Sequence, residues 1–318
     1  MKTICFWLNH LGERGMCVST YDYAYYNEKI LNNKSIILHN ADDASGDPDV
    51  LNKFTAQFEI YSCRVEDIDN MVVTLHGDLL YILKHGKYDD LMYFKTKTAI
   101  HAVFEATQPH GDIFAVISSE VNGANHLPIV PHMINLPTNT ETMRAELNIP
   151  EDALVFGRHG GYDQFNMDFV HNVVLHIALS YPNVYFVFMN TRPFCQQLPN
   201  VIHIDKTIDL EKKTSFINTC DAMIWGRSGG ETFGLSIGEF SSRNKPVFCM
   251  DIGSRAHVNI LGEKAIIYTK DSLYNQMVTF IGNYKEMKNR DWNAYKEFTP
   301  ENVMHIFNKV FIETDNEL

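Results

Sequence analysis

The chain has 318 residues, 45% hydrophobic and 21% charged, an ordinary globular balance that argues against disorder. It carries 27 Lys and Arg against 39 Asp and Glu, a net charge of −12, whereas a nucleic-acid binder presents a basic face. The first half is the more acidic: residues 1–150 hold 11 basic and 19 acidic side chains, which argues against docking on an anionic membrane.

No apolar stretch approaches the roughly 18 residues of a membrane-spanning helix, and Ile4–Leu8 is too short for a signal-peptide core. The six cysteines (5, 17, 63, 195, 220 and 249) are scattered, with no CxxC pair. They read as reduced thiols of a cytoplasmic protein.

In chain order, Thr3–Leu8 predicts a buried strand, followed by a loop that holds Gly12 and Gly15. The aromatic run Tyr21-Asp22-Tyr23-Ala24-Tyr25-Tyr26 follows. It suits a sugar acceptor site, with Asp22 accepting hydroxyl protons beside Tyr23, although such a run is more often half core and half surface. Further strands are predicted at Ser35–Leu38, Phe58–Tyr61, Leu79–Leu83, Thr98–Val103 and Ile113–Ile117. Lys84, His85 and Gly86 close the third of these, where an acceptor could be met. Prolines 128, 131, 137 and 150 then mark a connector.

The rhythm restarts with a strand at Ala153–Phe156 and a helix whose stripe is Phe169, Val170, Val173, Val174, Ile177 and Ala178. Val184–Met189 is a continuous apolar run suited to the middle of a parallel sheet. Ala222–Trp225, Pro246–Met250 and Ala265–Tyr268 continue the series, and Pro300–Phe311 reads as a last amphipathic helix. The expectation is an α/β protein of two Rossmann-like domains, 1–150 and 151–318, facing each other across a cleft, with the last helix free to pack back on the first domain.

The densest motif runs from Trp225 to Glu239, between a strand and a helix. Gly226-Arg227-Ser228-Gly229-Gly230 matches the G-x-S-x-G elbow of serine hydrolases, with Asp251 and His257 as the only close partners. Those two lie six residues apart, whereas the hydrolase acid and histidine end different strands. The alternative is a sugar-nucleotide site. Amides at Thr232, Phe233, Gly234 and Leu235 would hold phosphate at a helix start, and Glu231 and Glu239 would lie about 12 Å apart if helix joined them. Fourteen histidines show no metal-ligand spacing, so no metal or other cofactor is expected.

These residues resemble the retaining glycosyltransferases of the GT-B fold, family 4 and its relatives, which carry an E-x7-E motif. Glu231-Thr232-Phe233-Gly234-Leu235, running on to Glu239, resembles the family's E-G-F-G-L segment, with Thr232 in place of a glycine. Cys220–Ile224, Asn244–Val247, Gly157-Arg158, Ala115–Ser118 and Val130–His132 resemble other family segments, so the likeness covers nearly the whole chain. It implies transfer of a sugar from a nucleotide-diphosphate donor to an acceptor hydroxyl, as on a glycan, with retention and without metal. Arg158 would bind the diphosphate, Glu231 the sugar and Glu239 the ribose. Gly12 and Gly15 would approach the phosphates, and His101 would stand at the family's active-site histidine. Another GT-B activity, such as sugar-nucleotide epimerisation, or a silent sugar-nucleotide or glycan-binding subunit, is the alternative. In one respect the chain departs from the family. Asp163 stands where a phosphate-binding lysine is usual, so the second cation comes from Arg227 or Lys84 or is absent.

Overall fold

A computed structural model describes residues 1–89, 95–196 and 198–313. Two compact units divide the chain. One is Met1–Met133 together with the segment beginning at Phe298, and the other is Ile134–Glu297.

The first unit holds a parallel sheet of β1 (Thr3–Leu8), β2 (Lys34–Asn40), β3 (Glu59–Cys63), β4 (Leu79–Lys84), β5 (Thr98–Ala102) and β6 (Ile113–Val116), in spatial order 3-2-1-4-5-6. Helices α1 (Gly15–Lys29), α2 (Pro48–Thr55) and α3 (Ile68–Thr74) fall between its strands in the chain. The second unit repeats the order with β7 (Leu154–Arg158), β8 (Val184–Met189), β9 (Val201–Ile204), β10 (Ala222–Ile224), β12 (Val247–Cys249) and β14 (Ala265–Ile267), arranged 14-12-10-7-8-9. The short strands β11 (Gly230–Glu231) and β13 (Ser254–Arg255) pair with each other outside that sheet. Its helices are α4 (Asp168–Ser180), α5 (Leu210–Thr219), α6 (Leu235–Ser242), α7 (Ala256–Leu261) and α8 (Leu273–Met287). The last helix, α9 (Pro300–Phe307), belongs to the first unit.

Central strands are mostly apolar, with Lys84, His101 and Arg158 as polar exceptions at or near their carboxyl ends. Every residue of β4, β5 and β7 is buried. Helix starts follow local chemistry. Asp209 caps α5 by accepting from Glu211 and Lys212 amides, and Thr299 caps α9 ahead of Pro300 at its first position. The tail reading is corrected in form: α9 widens at Asn308–Ile312 into a π-helical turn.

The second unit starts at Ile134, ahead of the boundary at 150 read from the prolines. The connector is bound to it there: the Arg144 side chain donates to Asp221 at 3.1 Å, and the Met143 backbone amide donates to Thr219 Oγ1 at 2.7 Å. Among the described residues, no helix is long and apolar enough to cross a membrane. All six cysteines are free.

Candidate active site

In a sheet of order 3-2-1-4-5-6, chain connections leave in opposite directions on either side of the first strand, opening a crevice at its carboxyl end. In the second unit this switch point lies between β7 and β10. Arg158 ends β7, and the segment Trp225–Glu231 leaves β10.

Arg158 is 5% exposed. Its guanidinium donates to Thr191 Oγ1 (2.5 Å), the Asn190 carbonyl (3.3 Å) and the Gly161 carbonyl (2.9 Å). Burial lowers its pKa to about 10, with Glu231 opposing and Arg227 adding to the shift, so it remains a cation at neutral pH. Glu231 accepts from Trp225 Nε1 at 3.0 Å and from Arg227 Nη1 at 2.8 Å. Burial raises its pKa from the ordinary glutamate value, against the pull of Arg227, Trp225 and Arg158.

Gly234 precedes α6 at φ 85°, and the helix starts with no side-chain cap and no acidic residue in its first turn. That leaves its N-terminal amides and dipole open to an anion. Thr232 and Phe233 are buried. Phe233 packs edge-on against Tyr295, whose hydroxyl donates to the Phe233 carbonyl at 2.9 Å. Gly230 has φ 68°, and a Cβ there would lie 2.3 Å from the Ser254 carbonyl and 2.4 Å from that of Ile252. Backbone cannot yield at such distances, so Gly230→Ala is expected to cost about 3 kcal/mol. A loss below about 0.5 kcal/mol in urea unfolding would show that the turn tolerates a side chain.

Glu239 lies on α6 with Lys213 Nζ at 2.5 Å and His159 Nε2 at 2.8 Å. Burial pushes its pKa up, but Lys213 and His159 outweigh burial and hold it at about 2. The straight 12 Å helix between the two glutamates is corrected: only residues from Leu235 onward are helical, and Glu231 sits in β11. Arg192, after β8, pairs with Asp163 (Nε to Oδ1, 2.7 Å) at the position of the missing lysine. Sequence reading missed Lys213, His159 and Arg192. The cue present was for His159 alone, which directly follows Arg158 at a strand end.

The elbow reading does not hold. Asp251 accepts from Arg255 at 2.5 and 2.8 Å, and the exposed Ser228 uses its amide on Asn166. The fully buried His257 places Nε2 3.2 Å from the Met250 carbonyl and its ring on Trp225.

In the first unit, His101 is fully buried, with Nδ1 2.7 Å from the Tyr81 hydroxyl and Nε2 2.8 Å from the Val130 carbonyl. Both nitrogens are taken, which replaces the sugar contact implied for it with a place in the core. Tyr23 is likewise buried, its hydroxyl donating to the Pro131 carbonyl at 2.8 Å. Asp22, on the same helix, is half-buried. Lys84 is buried on Asp89 and His110 in this unit, which removes it as a free cation. His85 is exposed against Phe104. Gly12 is buried before α1, and Gly15 is the first residue of that helix. Among the described residues, no three His, Cys, Asp or Glu side chains converge to hold a metal.

No protein-family model and no curated protein matches the chain. Solved structures do match. A glycosyltransferase from Rickettsia africae is 12% identical over 99% of both chains, with a TM-score of 0.75. HepE from Anabaena, in complex with UDP and glucose, is 14% identical over the whole of both chains, with a TM-score of 0.74. The fold is GT-B. A Listeria monocytogenes protein described as a candidate UDP-N-acetylglucosamine 2-epimerase shares it, at 13% identity over 99% of this chain and 98% of that one, with a TM-score of 0.66.

Proposed function

We propose that the protein is a retaining glycosyltransferase that moves a sugar from a nucleotide-diphosphate donor to an acceptor hydroxyl, as on a glycan. The observation that carries this is one cluster at the switch point of the second unit: Arg158, the Arg227–Glu231 pair and the uncapped start of α6. In this reading Arg158 and the α6 amides take the diphosphate, and their charge stabilises the leaving group as the glycosidic bond breaks. Glu231 orients the sugar hydroxyls. Glu239, anionic and fixed, offers its remaining lone pairs to the ribose. No enzyme nucleophile is invoked: the departing phosphate takes the acceptor proton on the same face of the sugar, which retains the configuration. No metal enters the scheme.

The test is a panel of UDP-, GDP- and ADP-sugars. A donor at a hundred times its Kd adds about 2.7 kcal/mol to native stability, a shift of several degrees in Tm. Transfer or donor hydrolysis should accompany the shift. Absence of any shift across the panel would sink the reading. The epimerase-like neighbour supports a second activity on the same site, which acceptor-free interconversion of a bound UDP-sugar would reveal.

A further inference from the structure

The loops after β7 and β8 are joined by a set of bonds within the second unit. Thr191 Oγ1 and the Asn190 carbonyl hold Arg158, Asn190 Nδ2 donates to the Gly160 carbonyl at 2.9 Å, and the Arg192 amide donates to the Tyr162 carbonyl at 2.9 Å. Phe194 anchors the far side of the loop, stacked on His171 at 4.3 Å and packed on Phe165 and Phe188. Arg192 stands on this framework with its side chain 68% exposed, its guanidinium on Asp163 and 5.7 Å from the Tyr162 ring.

We propose that Arg192 supplies the second diphosphate-binding cation, in place of the lysine that Asp163 displaces. The inference rests on the donor reading above. The other two candidates are held more deeply: Arg227 pairs with Glu231 at 23% and 15% side-chain exposure, and Lys84 is buried in the first unit. Three of the five N–H donors of Arg158 pin the two loops, so besides meeting phosphate it is also a positioning residue for Arg192. Asp163 holds the guanidinium against the loop that follows β7 until phosphate oxygens replace it. An ion pair this exposed is weak, so the exchange costs little. A guanidinium also meets phosphate in a two-pronged geometry that a lysine lacks.

The experiment is calorimetric titration of the whole protein with UDP and with uridine. Arg192→Gln should weaken UDP about tenfold, the worth of one charge-assisted pair, and leave uridine unchanged. Asp163→Asn frees the guanidinium and should tighten UDP several-fold. Wild-type affinity for UDP in both variants would overturn the assignment of Arg192 and leave the donor site standing. Failure of the wild-type protein to bind UDP, GDP or ADP would overturn the donor reading and this inference together. Equal weakening of UDP and uridine by Arg192→Gln would also overturn it, because a cation for phosphate does not act on the nucleoside.

Discussion

Glu231→Gln is expected to lower kcat/KM for sugar transfer by about 10²–10³-fold while the protein stays folded, a loss of the size that follows removal of one pre-placed polar group at a reacting centre. The substitution keeps shape and volume. Its carbonyl oxygen can still accept from Trp225 Nε1, which lies 3.0 Å from Oε1. The other oxygen becomes an NH2 facing Arg227 Nη1, 2.8 Å away, so two donors oppose each other and the ion pair is gone. Arg227 then swings free beside Arg158, and the negative charge meant for sugar hydroxyls is absent. Both partners of the pair are mostly but not fully buried, at 23% and 15% side-chain exposure, so solvent softens the loss of stability. A Tm drop of a few degrees is expected. Turnover within twofold of wild type would remove Glu231 from the site. A collapse of the circular-dichroism melt would instead mark it as a structural residue.

What the sequence made legible was what lies close along the chain. The runs Thr3–Leu8 and Val184–Met189 coincide with β1 and β8, because a strand covered on both faces has only apolar positions to show. β9, four residues with three half-buried positions, left a pattern too short and mixed to separate from loop. Arg158 and Glu231 were readable because each lies in a short contiguous segment that resembles the glycosyltransferase family, Gly157-Arg158 and Glu231–Leu235. Lys213 and Arg192 were not: each meets its partner, Glu239 or Asp163, from another segment, and no spacing predicts the meeting. His101 shows a further limit. Alternation reveals which face of a strand is apolar, but not what covers it. Here the cover includes Phe311, more than 200 residues away in the chain, at a ring separation of 5.3 Å.

The burial of His101 carries the second large effect, a loss of stability on mild acidification. His101 and His132 lie in one cluster of the first unit with Tyr23, Tyr81, Phe307 and Phe311. The two histidine rings are 6.2 Å apart. Burial pushes the pKa of each down to about 3, opposed for His101 by the Val130 carbonyl and reinforced for His132 by His101. At pH 7 both are neutral in folded and unfolded chains, so neither affects stability there. Below pH 6.5 the unfolded chain takes up protons that the core refuses, and stability falls as pH falls. Each histidine contributes up to about 1.4 kcal/mol per pH unit until its folded pKa is reached. Between pH 6.5 and 4.5 the pair amounts to about 5 kcal/mol, comparable with the whole stability of an ordinary domain. The depressed pKa of Glu239 adds a loss of the same sign only below about pH 4.5, where free carboxylates begin to protonate. Urea unfolding of the first-unit transition at half-unit pH steps should therefore show uptake of nearly two protons from this pair in that window, with a further share from His110, whose pKa burial also lowers. His101→Gln, which can still donate to Val130 and accept from Tyr81, should remove one of them. A pH slope identical in wild type and variant would mean that His101 titrates in the folded protein as it does in the unfolded chain.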